Sequence, residues 1–440
     1  EQDVREIYHS VVKALKLAFK ELKADLYLIG LSSTSPSLLL LNREFEPTGN
    51  AILWMDRRAV EEAQLISRKL GSSHIYRKTG LHVDPIFTAA KLLWVKNKHP
   101  KIFSESRYIV QVKDYLFYKL TGEALTDKSH ISETLFYTLD GRFYDELLDL
   151  IGLDESMFFK PQDSTFVAPL APNPTGELQA PNAYVALGGV DSACATLGAG
   201  GFEGGVIVDT TGTSTCLDLS TDNPVLDSKE RFETYWHVVP GKYLLEACTP
   251  TGGESIRLAL ELVGDKGGDP DSYVKSLAPS GLMALPFLAG SRSPDWNPSI
   301  KGLIYGISLS TSREDIVKAF MEGVAFWERH VIEEFEKLGL KVHEVRLVGG
   351  GATFNWASIK ANVTGRKFSI PREKEASAFG AALLAGMGYG IIRDLDELRR
   401  MVSQESLIEP TSEFHRKYDE FYKSFIDLWF YINKLAQDKS

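Results

Sequence analysis

Apolar residues recur at helical spacing through the opening stretch, where Val4, Ile7, Tyr8, Val11, Leu15, Ala18, Phe19 and Leu22 share one face. This predicts an amphipathic helix that must cover a domain surface. Two short apolar runs follow, DLYLIGLSS and SLLLLN, each suited to a buried strand, and the second closes at the turn-rich EPTG. A helix ahead of the first strand of an α/β domain ordinarily returns from an earlier strand, so the chain reads as beginning mid-domain. Helical periodicity then predicts helices over about 59–70, 87–98 and 108–120. The Pro- and Asn-rich stretch PQDSTFVAPLAPNPTGELQAP interrupts this pattern, and a domain boundary is placed near its end, giving segments 1–181 and 182–440.

The second segment opens with YVALGGVD and a Gly-rich helix start, then a strand over VIVDTTGTSTCLDLS and an apolar run, YLLEACTPTGG. EDIVKAFMEGVAFWERHVIEEFEKLG reads as one long helix, VHEVRLVGGG as helix end, strand and turn, and SAFGAALLAGMGYG as a further helix. The uncharged run from Ala376 to Ile392 is too short to span a bilayer and reads as a small-residue core helix and turn. There is no fixed-period repeat.

Composition narrows the function classes. A chain of 440 residues with 44% hydrophobic and 25% charged residues has the make-up of two or three globular domains. Its 49 basic and 59 acidic side chains leave a net charge of −10, without a basic cluster to suit nucleic acid or an anionic membrane. The opening EQDVREIY has none of the layout of a secretory signal. The widely separated Cys194, Cys216 and Cys248 match no metal spacing and read as buried small hydrophobes in a reducing cytoplasm.

Walker A, GxGxxG, HExxH and GxSxG signatures are all absent. What remains is a set of Gly-rich turns directly after strand-like runs: GG before Val190, TTGTST at 210–215, TGG at 251–253 and GGGAT at 349–353. Any one of them reads as an ordinary turn, because turns need glycine. Four in one half of the chain suggest backbone N–H groups gathered around phosphate oxygens. Asp191 falls at a strand-to-helix junction, where a carboxylate either caps the helix or serves as a base. The segment LWMDRRA joins an aromatic ring, a carboxylate and two guanidinium groups, suited to gripping a polyol; equally, Asp56 is placed to pair with Arg57 or Arg58.

Taken in order, LWMDRRA, FTAAKLLWVKN, DYLFYKLTGEALTD, GGVDSACATLGAG, TTGTSTCLDL, LPFLAGSRSPDWNP, GLIYGISL, VGGGAT and EASAFGAALLAG resemble the FGGY carbohydrate kinase family over nearly the whole chain. The stretch from Gly302 to Glu322 keeps the family's spacing of glycines, Asp315, Ala319 and Glu322, with Phe320 where a smaller residue is usual. Two departures stand out. Ser358 and Asn362 occupy positions where Gln and Asp are common, and the family's first β-hairpin, with its Asp-x-Gly-Thr/Ser motif, does not precede EQDVREIY.

The resemblance implies an α/β protein of two actin-like, RNase H-like domains, the first incomplete at its N-terminus, with ATP and an open-chain sugar meeting in the interdomain cleft. It implies that Asp191 is the general base and that Trp54, Met55, Asp56 and Arg57 contact the sugar. It implies that Gly212, Thr213, Gly252, Gly253, Gly349, Gly350, Gly351 and Ala352 face ATP. ATP and Mg2+ are the expected cofactors, no residue is assigned as a metal ligand, and a homodimer is left open. The WMDRR segment resembles that of xylulose-type kinases, while its arginines would also suit the carboxylate of gluconate. A catalytically silent sugar- or nucleotide-binding relative and an actin-like ATPase are the competing readings.

Overall fold

The computed structural model describes residues 1–171, 178 and 182–437; the boundary placed after residue 181 falls at the edge of residues outside that description. The opening periodicity forms the helix Val4–Leu22, with Asp3 accepting the backbone N–H of Arg5 at its start. Two predicted elements resolve differently. The stretch 108–120 is a strand, Tyr108–Val110, and then a helix, Val112–Thr121, because Gln111 and Asp114 form a reciprocal cap that starts the helix there. The single strand expected over 206–220 is two antiparallel strands, Val206–Thr211 and Thr215–Thr221, folded back at Gly212.

Two main sheets organise the chain. In the first, the strand Ala183–Val190 lies between Tyr27–Ser33, parallel to it, and Val167–Pro169, antiparallel. The second has seven strands in the order Glu233–Trp236, Tyr243–Thr249, Thr215–Thr221, Val206–Thr211, Glu344–Val348, Lys367–Pro371 and Gln404–Ile408. Behind it, the long helix Arg313–Lys337 and the C-terminal helix Ser412–Gln437 bury Trp327, Phe335, Phe425 and Trp429 in one apolar core.

The small-residue helix Ala376–Tyr389 joins the two halves, packing on the first sheet's strand Tyr27–Ser33 and on the helix Asp191–Gly198. Glycine is required at that seam. A Cβ on Gly380 would fall 1.8 Å from the Cys194 carbonyl oxygen, and one on Gly30 would fall 2.0 Å from that of Ala381.

The cysteine expectation needs correction. Cys194 is buried and free, but Cys216 and Cys248 form a disulfide. The antiparallel register sets them directly opposite on neighbouring strands, with Cα atoms 4.2 Å apart, a juxtaposition that sequence separation does not reveal. No helix among the described residues is long and apolar enough to cross a membrane.

Candidate functional site

Three of the predicted Gly-rich turns converge on one open cleft of about 440 Å³. Thr211, Gly212 and Thr213 line it from the first turn, Gly253 and Glu254 from the second, and Gly350, Gly351 and Thr353 from the third. Backbone hydrogen bonds lock the turns together: Gly253 N–H donates to Gly212 O at 3.1 Å, Glu254 N–H to Thr213 O at 3.1 Å, and Gly351 N–H to Thr211 O at 3.0 Å. The remaining predicted residues stand behind the lining. Gly252 is pressed against Thr215, Gly349 turns at φ +88° against the Thr211 backbone, and Ala352 packs on the core.

Sequence reasoning missed the rest of this cleft. Ile256, Arg257 and Leu260 of the helix Gly252–Leu262, the loop residues Gly267, Gly268 and Pro270, and Trp356 complete its lining. Ile256, Leu260 and Trp356 give it an apolar side, and Arg257, ion-paired with Glu254 and Glu261, gives it a cation. Only the helical phase of Ile256, Arg257 and Leu260 behind the TGG turn signalled them.

Asp191 begins the helix Asp191–Gly198 directly at the end of the central first-sheet strand, and its Oδ1 accepts the N–H of Ser192 at 2.9 Å. The preceding residue is anchored from below. Val190 N–H donates to Ser129 Oγ at 3.1 Å, and Ser129 is hydrogen-bonded to the fully buried Asp127. Asp127 is held in turn by Lys113 Nζ at 3.0 Å and His130 Nδ1 at 2.9 Å. Asp127 closes the DYLFYKLTGEALTD block quoted from the sequence, whereas its partners Lys113, Ser129 and His130 lie outside that block and were not singled out. Burial pushes the Asp191 carboxyl above its usual range, against the N–H of Ser192 and the charge of His130.

Beyond Asp191 a polar chain crosses to the second sheet. Ser192 Oγ lies 3.3 Å from the Tyr235 hydroxyl, which donates to Glu246 Oε2 at 2.9 Å. Arg292 Nη2 lies 2.5 Å from Glu233 and 3.9 Å from Glu246, and the backbone N–H of His82 reaches Glu233 at 3.2 Å. The His82 ring lies tilted by 33° against Trp296, with ring centroids 3.8 Å apart. Buried Glu133, from the first half, is pushed well above the carboxylate range by its burial and then by the charges of Glu246 and Asp191. The surroundings of Asp191 are therefore rich in carboxyl groups, of which Glu133 and Glu246 are shifted toward the neutral acid while Glu233 is ion-paired with Arg292.

The predicted sugar segment lies on the surface of the first half. Trp54 is 44% and Met55 63% exposed. Asp56 is held by Arg58 at 2.5 Å, Arg58 also reaches Glu1 at 2.6 Å, and Arg57 pairs with Asp84 at 3.1 Å. Buried Lys91 fixes the backbone of this segment by donating to Leu53 O at 2.7 Å.

Among the described residues, the grouping of three metal-type ligands is Cys216, Glu246 and Cys248, with both sulfurs in the disulfide. That donor set does not fit a magnesium ion, which takes oxygen ligands.

Comparison with known proteins adds to this geometry. The model described as the FGGY family of carbohydrate kinases, N-terminal domain, matches residues 1–198, and that family's C-terminal domain matches residues 208–389. A glycerol kinase of Thermococcus gammatolerans is 30% identical over 425 residues, covering 93% of this chain and 85% of its own. A xylulose kinase of Staphylococcus xylosus is 26% identical, covering 95% and 89%. The crystal structure of a gluconate kinase from Lactobacillus acidophilus superposes with a TM-score of 0.92 at 23% identity, over 100% of this chain and 91% of that one. The two-sheet architecture is thus a known two-domain kinase fold.

Proposed function

Because the chain belongs to the FGGY family of carbohydrate kinases, we propose that it transfers the γ-phosphoryl group of ATP to a hydroxyl of an open-chain sugar, with a ketopentose such as xylulose as the preferred acceptor. The observation that carries this reading is the convergence of the Gly212, Gly253 and Gly351 turns on one cleft, where unhindered backbone suits a chain of phosphates. The apolar side formed by Ile256, Leu260 and Trp356 suits the adenine ring.

In this reading Asp191 accepts the proton of the acceptor hydroxyl as its oxygen bonds to phosphorus and the bond from phosphorus to the leaving oxygen breaks. The buried Lys113–Asp127–Ser129 support holds the start of its helix in place. Because the described residues do not form a magnesium cage, no step is assigned to that ion. We assign residues 1–181 to the sugar side and 182–440 to the nucleotide side, with the strand Ala183–Val190 completing the first side's sheet, and with ATP as donor the reading is cytoplasmic.

Electrostatics supports a neutral acceptor over an aldonate. Arg57 and Arg58 are already paired with Asp84 and Asp56, so neither guanidinium stands free for the carboxylate of an aldonate. Arg292, the cation of the polar chain beyond Asp191, is likewise taken up by Glu233 at 2.5 Å. A polyol such as glycerol is the second reading, favoured by the 30% identical relative.

The test is ADP release with ATP and magnesium across a panel of pentuloses, polyols and aldonates. Release with a ketopentose, lost in Asp191→Asn, is the expected result. Release without any acceptor would instead indicate an ATPase, and none with any acceptor a silent binder.

A further inference from the structure

Directly behind the nucleotide cleft lies a charged group that the catalytic reading does not use. Lys360, on the helix Phe354–Thr364, is fully buried, as are Asp209 on the strand Val206–Thr211 and Glu328 on the long helix Arg313–Lys337. Its Nζ lies 2.5 Å from Asp209 Oδ2 and 2.7 Å from Glu328 Oε1. Placing an ammonium in an apolar core is costly unless its donors are satisfied, and a wholly structural role would call for nothing more than the two carboxylates.

The third partner points elsewhere. Lys360 Nζ donates to Thr211 Oγ1 at 3.0 Å, and the ammonium sits 4.5 Å from the centre of the Trp356 ring. Thr211 and Trp356 both line the cleft, the first from the end of the strand Val206–Thr211 and the second from the first turn of the helix Phe354–Thr364. The Thr211 hydroxyl donates in turn to Asp209 Oδ1 at 2.7 Å and lies 3.1 Å from Thr215 Oγ1, while its carbonyl receives the N–H of Gly351. One buried ammonium therefore fixes the side chain of the residue that ties the 210–215 turn to the 349–353 turn, and braces the ring on the apolar wall.

We propose that Lys360 is a positioning residue for the nucleotide, setting Thr211 and Trp356 so that affinity for ATP and ADP, rather than handling of the sugar, depends on it. The inference rests on the cleft being the nucleotide site. Asp209 is the essential counter-charge. Glu328 is the lesser partner: its Oε2 has no hydrogen-bond partner, and burial followed by the Asp209 charge pushes its carboxyl well above the usual range.

Calorimetric titration of the full chain with ADP tests this, together with ATP and sugar KM. Lys360→Met is expected to weaken ADP binding and raise the ATP KM at least tenfold, leaving the sugar KM and the rate at saturating ATP within about threefold. Glu328→Gln is expected to stay within twofold of wild type. Phe117→Ala, a truncation in the separate apolar core around the first sheet, supplies a variant of lowered Tm that keeps ADP affinity. Wild-type ADP affinity in Lys360→Met, or an equal loss in Phe117→Ala, overturns the inference alone. No ADP binding by the wild-type chain overturns the nucleotide reading and the inference with it. If Lys360→Met does not fold, Lys360→Gln, which keeps a donor for Asp209, is read in the same way, with a smaller loss expected and wild-type affinity counting against the proposal.

Discussion

The N–H of Gly253 donates to the carbonyl oxygen of Gly212 at 3.1 Å, and a Cβ on Gly253 would stand 2.0 Å from that same oxygen. Two of the turns that face the cleft are thus in backbone contact, and the contact exists only because residue 253 has no side chain. Gly253→Ala must push them apart. We expect a stability loss of about 1–3 kcal/mol and at least a tenfold weaker ADP affinity, read by thermal unfolding and calorimetry. Gly350→Ala, where a Cβ meets no neighbour within 4 Å, is the control that retains stability.

Asp191 carries the chemistry in the proposed mechanism. Asp191→Asn should lower turnover on the order of 10²–10⁴-fold, with sugar affinity changed far less. Because burial raises its carboxyl pKa, protonation removes the base at a higher pH than for an exposed aspartate. The acidic limb of kcat/KM should therefore lie above the ordinary value of 3.8 and vanish in the variant, which a pH–rate profile checks.

Lys91 links the exposed WMDRR segment to the core. Burial pulls its ammonium down to about 7, against the charges of Asp56 and Asp84. Between pH 7 and its unfolded value of 10.5 the unfolded chain binds the extra proton, so stability from this group rises as pH rises through that window. Relative to Lys91→Met, the wild-type chain should gain on the order of a few kcal/mol from pH 7 to pH 10. Denaturant melts of both proteins at the two pH values test the sign; a parallel pH dependence would refute it.

The Cys216–Cys248 bridge joins the strands that carry the 210–215 and 250–253 turns. Titration of the denatured, unreduced chain should find one thiol, that of Cys194, and three after reduction. The Cys216→Ser/Cys248→Ser pair should unfold more easily by about 2–4 kcal/mol.

Much of this was legible without coordinates. The periodicity of Val4 to Leu22, the Gly-rich turns and the ordered motifs suffice to name the family, because local spacing and backbone need are written residue by residue. Asp191 shows itself as a strand-to-helix carboxylate, and Gly212, Gly253 and Gly351 as turn glycines. The reversal at Gly212 was hidden, since a strand and a tight hairpin of the same β-forming residues look alike in one dimension.

What tertiary structure alone decided lies in contacts across long stretches of chain. Lys360 reaches Asp209 over 151 residues, Tyr235 brings Glu246 toward Ser192, and register alone sets Cys216 opposite Cys248. Burial then shifts the titration of Lys91 and Asp191, and no local pattern encodes burial of that kind. The sequence marked the Gly-rich turns that meet at the cleft and the strand-to-helix carboxylate of the proposed mechanism. Packing decided which side chains stand behind them, because desolvation and hydrogen-bond geometry act through space, where neighbours along the chain carry no information.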